Sequence, residues 1–119
     1  MMKIAISTTG NNLDAEVELR FGRASAFLLF DTETQTFSLL DNSEQVNAEQ
    51  GAGVKTAQNI VRAGAQALIS GHCGPKAMKV LNAKKIAVYV TEKSVISEAI
   101  AKLQAGSLTP ITAADAAGH

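Results

Sequence analysis

His72 and Cys73 stand side by side in Gly71-His72-Cys73-Gly74-Pro75, the sole cysteine of the chain beside one of its two histidines. A thiolate and an imidazole are the ligands that copper, zinc and iron-sulfur chemistry favours. The segment follows Ala67-Leu68-Ile69, an apolar run that reads as a buried strand, and the turn after a strand is where open α/β sheets hold their ligands. A helix start beyond a cysteine also favours thiolate over thiol, so Cys73 is a candidate nucleophile as well as a candidate ligand. The plainer alternatives are a small buried thiol and a histidine that turns away into solvent.

Two further groups of residues suit an anion. Arg20-Phe21-Gly22-Arg23 brings two guanidiniums close together, and Gln50-Gly51-Ala52-Gly53 opens a helical pattern with glycines, which let a ligand approach the backbone. Helix starts expose unpaired N–H groups and a partial positive charge. Lys76 falls in the first turn of the helix that Pro75 begins. Thr8 and Gly10, where the first strand gives way to a loop, complete the candidate set. Each has a structural alternative: Gly51-Ala52-Gly53 is neither GxGxxG nor a Walker loop, and Arg20 and Arg23 have Asp14, Glu16 and Glu18 nearby to pair with. The carboxylates a metal-dependent nuclease needs do not assemble.

Hydrophobic periodicity supplies the elements that must position these residues. Buried strands are expected over residues 2–7, 26–30, 37–40, 67–70 and 86–90, with 31–36 short enough for a hairpin. Helical spacing links Val54, Ala57, Ile60 and Val61, with Gly64 as the stop, then Ala77, Met78 and Leu81 after Pro75. A third helix has Val95, Ile96, Ala99, Ile100 and Leu103 inside, Ser94 as its N-cap, Lys102 near its end and Gly106 beyond it. The order β-β-β-α-β-α-β-α, with right-handed crossovers, predicts a three-layer α/β/α fold around a five-stranded mixed sheet whose second strand is antiparallel. Residues 8–24, 41–53, 71–74 and 91–94 then share one sheet edge, where the candidate residues converge.

A chain of 119 residues is the size of one domain. Residues 1–110 are expected to form it, with 111–119 as a flexible tail. One cysteine forms no internal disulfide, and neither a signal peptide nor a membrane span is evident, which points to the cytoplasm. Eleven Lys and Arg balance eleven Asp and Glu, so no global field is expected to attract nucleic acid or membrane, and an anion site must be a local cluster. With tryptophan absent and tyrosine present once, the platforms on which single-stranded bases stack are missing. Residues 42–50, polar and without apolar period, read as a mobile loop able to cover the edge.

Lys3-Ile4-Ala5-Ile6, the Arg20-Phe21-Gly22-Arg23-Ala24 segment before a strand ending at Asp31, Gly51-Ala52-Gly53, and Gly71-x-x-Gly74-Pro75 with Ala77 resemble the dinitrogenase iron-molybdenum cofactor-binding family. Its members include the NifX and NafY carriers, the tail of NifB and small stand-alone proteins such as the molybdenum-copper orange protein, the type this short chain is most similar to. The resemblance implies a ribonuclease-H-like fold. It also implies a bound, preformed anionic metal-sulfur cluster of molybdenum-copper or iron-molybdenum type, with no established catalysis. Partners would be a cluster donor or acceptor, or the ATPases associated with the orange-protein type. The arginines of Arg20-Phe21-Gly22-Arg23, the glycines before the first helix and the Gly74-Pro75 turn carry over; His72-Cys73 depart from the family pattern. Three readings stay open: a non-catalytic cluster carrier, an enzyme or sulfur carrier using Cys73, and a regulatory adaptor.

Overall fold

The computed structural model describes residues 2–43 and 52–111. The described residues form six strands: β1 (Lys3–Thr8), β2 (Ala26–Asp31), β3 (Thr36–Asp41), β4 (Ala67–Ser70), β5 (Ala87–Val90) and β6 (Pro110–Ile111). The helices among the described residues are α1 (Ala52–Arg62), α2 (Pro75–Ala83) and α3 (Ile96–Gln104), with a 3-10 turn at Phe21–Arg23. All strands join one mixed sheet in the order β3-β2-β1-β4-β5-β6. β1 pairs antiparallel with β2 and parallel with β4, β4 pairs parallel with β5, and β2 and β3 form the expected hairpin.

The expectation of five strands is corrected to six. Ile111 and Pro110 pair antiparallel with Val88 and Tyr89, so Ile111, assigned to the tail on sequence, lies in the sheet. Two residues carry no periodicity to read, and proline, which cannot donate to a ladder, is tolerated at a sheet edge. Residues 112–119 lie outside the described residues.

Alternation along the strands divides the core into two layers. Ala5, Phe27, Leu29, Leu68 and Val88 face α1 and α2, whose Ala57, Ile60, Met78 and Leu81 pack onto them. Ile4, Ile6, Leu28, Phe30, Ala67 and Ile69 face α3 through Ile96, Ala99 and Ile100. β1, β2 and β4, buried along nearly their whole length, read as continuous apolar runs. β3, expected to be buried, is instead an exposed edge strand with Phe37 41% and Leu39 46% exposed, because no helix of the described residues covers its apolar run. Gly64 and Gly106, at φ of 85° and 76°, end α1 and α3 as expected.

The pairings put the C-terminal ends of β1, β3, β4 and β5 at one edge, as the strand directions require. The chain after β1 crosses this edge and is stitched to it. Val17 N–H donates to the Ser94 carbonyl at 2.9 Å, Glu18 N–H to Ser7 at 2.7 Å, and Phe21 N–H to His72 at 3.0 Å, while His72 N–H returns a bond to Leu19 at 2.6 Å. A segment legible only as a loop thus acts as a strap over three strands.

Candidate functional site

The strap delivers the Phe21–Arg23 turn to the sheet edge. The Phe21 ring is buried against Phe27, with centroids 5.5 Å apart and planes tilted by 59°. Asn42 fixes the turn from the other side: its side-chain amide donates to the Ala24 carbonyl at 2.8 Å, and its oxygen accepts from Thr56 of α1 at 3.2 Å. Expected on a mobile loop, Asn42 is instead 3% exposed; residues 44–50 lie outside the described residues. Just before it, the backbone N–H and hydroxyl of Ser43 bond the Asp41 carboxylate and hold its pKa below the usual value.

The turn, α1 and α2 enclose a cleft of about 370 Å³ lined by Phe21, Gly22, Gly53, Val54, Gly74, Pro75, Lys76 and Ala77. Of the candidate residues, Phe21, Gly22, Gly53, Gly74, Pro75 and Lys76 therefore meet here. A methyl group built on Gly22 or Gly74 would touch nothing within 4 Å. Since φ at Gly74 is −71°, its backbone does not require glycine, and at both positions the missing side chain keeps the wall of the cleft low. Val54 and Ala77 were legible only as inner helix positions; at the first turn of each helix such a position borders the cleft.

The N-terminus of α2 faces this cleft unmodified. Gly74 caps it without a side-chain bond, Pro75 has no N–H, and its first turn holds no acid. The N–H groups of Lys76 and Ala77 therefore have no intrahelical acceptor, and the partial positive charge there is not offset. In α3 the same end is used internally. Ile96 and Ser97 N–H donate to Ala15 and Leu13 at 2.8 and 3.0 Å, and Glu98 lies in the first turn. Ser94 does not cap α3: the N-cap is Val95, and the Ser94 hydroxyl bonds Glu92 instead.

The other candidates have structural places. The buried Thr8 hydroxyl donates to Glu16 and accepts from Gly10 N–H, both at 2.9 Å. A methyl on Gly10 would collide with Ala15, and one on Gly71 with the Leu19 backbone, so these two glycines serve close packing. Arg20, its side chain 71% exposed, pairs with Glu18 at 3.5 Å; Arg23 is exposed at the end of the turn. Gly51 lies outside the described residues, and Ala52 begins α1.

Cys73 and His72 do not converge. Cys73 is 1% exposed and packs in the apolar cluster that contains Phe21 and Ala77 of the cleft. His72 is exposed, its backbone tied to Leu19 and Phe21. Among the described residues no group of three His, Cys, Asp or Glu side chains could hold a metal ion. What the cleft offers is the bare start of α2 and the Lys76 cation, which suit an anion's surface more than its metal.

Charge reinforces this. The expectation of no wider field rested on balanced totals, but from Gly51 to Val90 the chain has no Asp or Glu, while Lys55, Arg62, Lys76, Lys79, Lys84 and Lys85 all fall there. All six are exposed, so the helical layer beside the cleft is basic.

Residues 2–106 match the family described as dinitrogenase iron-molybdenum cofactor. The chain belongs to this family. Its fold is that of the apo form of the orange protein from Desulfovibrio gigas, with a TM-score of 0.93, 31% identity and 97% of each chain covered. A Thermotoga protein assigned to NifB is similar at a TM-score of 0.83 and 32% identity, over 94% of this chain and 95% of that one. A dinitrogenase-type protein of Methanocaldococcus jannaschii shares the fold at a TM-score of 0.68 and 23% identity, over 94% of this chain and 96% of that one. Curated protein sequences give no match. Membership of the iron-molybdenum cofactor family agrees with a cleft at a bare helix start, and no helix among the described residues is long and apolar enough to cross a membrane.

Proposed function

We propose that this protein binds and carries, without catalysis, an anionic metal-sulfur cluster of the molybdenum-copper or iron-molybdenum type in the cleft between the Phe21–Arg23 turn, α1 and α2. The observation that carries the reading is the uncapped, acid-free start of α2 aimed at a cleft whose walls are glycine at positions 22 and 74. Cluster sulfides accept hydrogen bonds from N–H groups, and charge-assisted bonds are about twice as strong as neutral ones. Arg23, Lys76 and, after release from Glu18, Arg20 supply the charge. Cys73 is 1% exposed and does not line the cleft, so binding by hydrogen bonds comes first and ligation by Cys73 or His72 second.

The family and the likeness to the orange protein support this cargo. The same likeness favours the stand-alone type, working in the cytoplasm with a cluster donor or acceptor. We read the first five strands, in the order β3-β2-β1-β4-β5 with β2 antiparallel, as ribonuclease-H-like, with β6 added at the edge.

The test is anaerobic titration of the protein with tetrathiomolybdate plus copper, then visible spectra and metal analysis after gel filtration. Stoichiometric retention of molybdenum with copper is expected, and Arg20→Ala with Arg23→Ala should abolish it. Absence of retention in the unaltered protein would overturn the molybdenum-copper form of the reading, and retention that survives the double substitution would remove Arg20 and Arg23 from the site.

A further inference from the structure

We propose that the exposed face of α1 and α2 is a docking surface for an acidic protein with a small apolar protrusion, seated so that it spans the mouth of the cleft. The two helices pack side by side and carry Lys55, Arg62, Lys76 and Lys79, with Lys84 and Lys85 following α2. Neither helix contains an acid. Exposed helices ordinarily mix signs, because each i,i+4 pair of opposite charges adds about 0.2–0.5 kcal/mol and an acid in the first turn adds about 0.3–1 kcal/mol. α3 follows that rule with Glu98 and Lys102 at its two ends. The departure on α1 and α2 brings no local stability and calls for negative charge from outside.

Along the C-terminal half of α1 lies a second recess of about 360 Å³, lined by Gln58, Val61 and Arg62 of α1 and by Lys84 just past the end of α2. A half-buried valine beside exposed Gln58, Arg62 and Lys84 matches the composition of a protein interface, apolar at the centre and polar around it. Neither helix carries an aromatic residue, so bases have nothing to stack on. The apolar faces of both helices are spent on the sheet, which leaves nothing to insert into a bilayer. Lys76 belongs to the cleft and to this face, and Lys79 lies one turn further along the same helix. A partner on this surface would therefore meet the cleft. This deepens the cargo reading by giving the donor or acceptor an acidic docking surface, although the docking itself does not depend on which cluster is carried.

The isotopically labelled full chain, titrated with a synthetic Glu/Leu-rich amphipathic peptide, should show amide shift changes confined to α1, α2 and residues 84–85. Lys79→Glu with Lys84→Glu should raise the peptide Kd at least about tenfold, since charges at an interface set partner choice. Lys93→Glu with Lys102→Glu, before and on α3, should change it less than about twofold. Lys79→Gln with Lys84→Gln gives an intermediate loss and serves if charge reversal disturbs folding. Shifts on another face, equal losses from the two Glu pairs, or tighter binding of a DNA duplex or of phosphatidylserine-containing vesicles would overturn the proposal. Retention of tetrathiomolybdate and copper, measured on the same variants, should be unchanged, so a failure of docking is separable from a failure of the cargo reading.

Discussion

Gly71 and Gly74 sit three residues apart and are glycine for opposite reasons. At Gly71 the strap leaves no room for a methyl group beside the Leu19 backbone, whereas at Gly74 the space ahead is the cleft. Gly71→Ala should cost about 1–3 kcal/mol by overpacking, visible as a lower Tm. Gly74→Val, which puts a poorer N-cap than glycine at the start of α2, should lower the Tm less than Gly71→Ala yet retain much less thiomolybdate and copper. Equal Tm losses for both would remove the case for Gly74 as a cleft wall. Cys73 makes a separate test: a thiol 1% exposed should alkylate slowly until the protein is denatured, and Cys73→Ala should leave most cluster retention intact. Fast alkylation of the native protein would revive the nucleophile reading, and complete loss of retention would show direct ligation.

Two helix starts at the same sheet edge have been put to different uses. The N–H groups of α3 are consumed by Leu13 and Ala15 of the strap, with Glu98 alongside, while α2 begins bare at the cleft. Lys76→Glu should therefore have opposed effects. An acid in the first turn stabilises a helix by about 0.3–1 kcal/mol, raising the Tm slightly, while the same charge in the cleft repels an anionic cluster and lowers its retention. A variant that lost stability and kept full retention would place the cargo elsewhere. The strap itself is the element that makes this edge a site, because it blocks α3 and holds Phe21 and Gly22 opposite Gly74.

Over the whole molecule, a net charge of zero conceals a separation of charge, with one helical layer free of acids among its described residues. Fields of this kind steer anions over distances comparable with the Debye length, about 10 Å at 0.1 M salt. Capture of thiomolybdate in stopped flow should slow about tenfold or more between about 0.01 and 0.15 M salt, and a rate independent of salt would argue against steering. The sequence by itself determined the strand runs, the hairpin, the helix stops at Gly64 and Gly106, the Pro75 start and the shared edge. Those are written in local periodicity and in backbone preferences of single residues. The uneven charge was also present in the sequence, hidden by totals and legible only when counted along the chain. The tertiary structure alone decided which candidates line the cleft. Cys73 is buried while its neighbour His72 is exposed, and no local pattern said which. Asn42 left its expected loop for the core, because partners at Ala24 and Thr56 satisfy its amide there. The strap, β6 and the blocked start of α3 rest on hydrogen bonds between residues far apart in the chain, a kind of information that composition and periodicity do not carry.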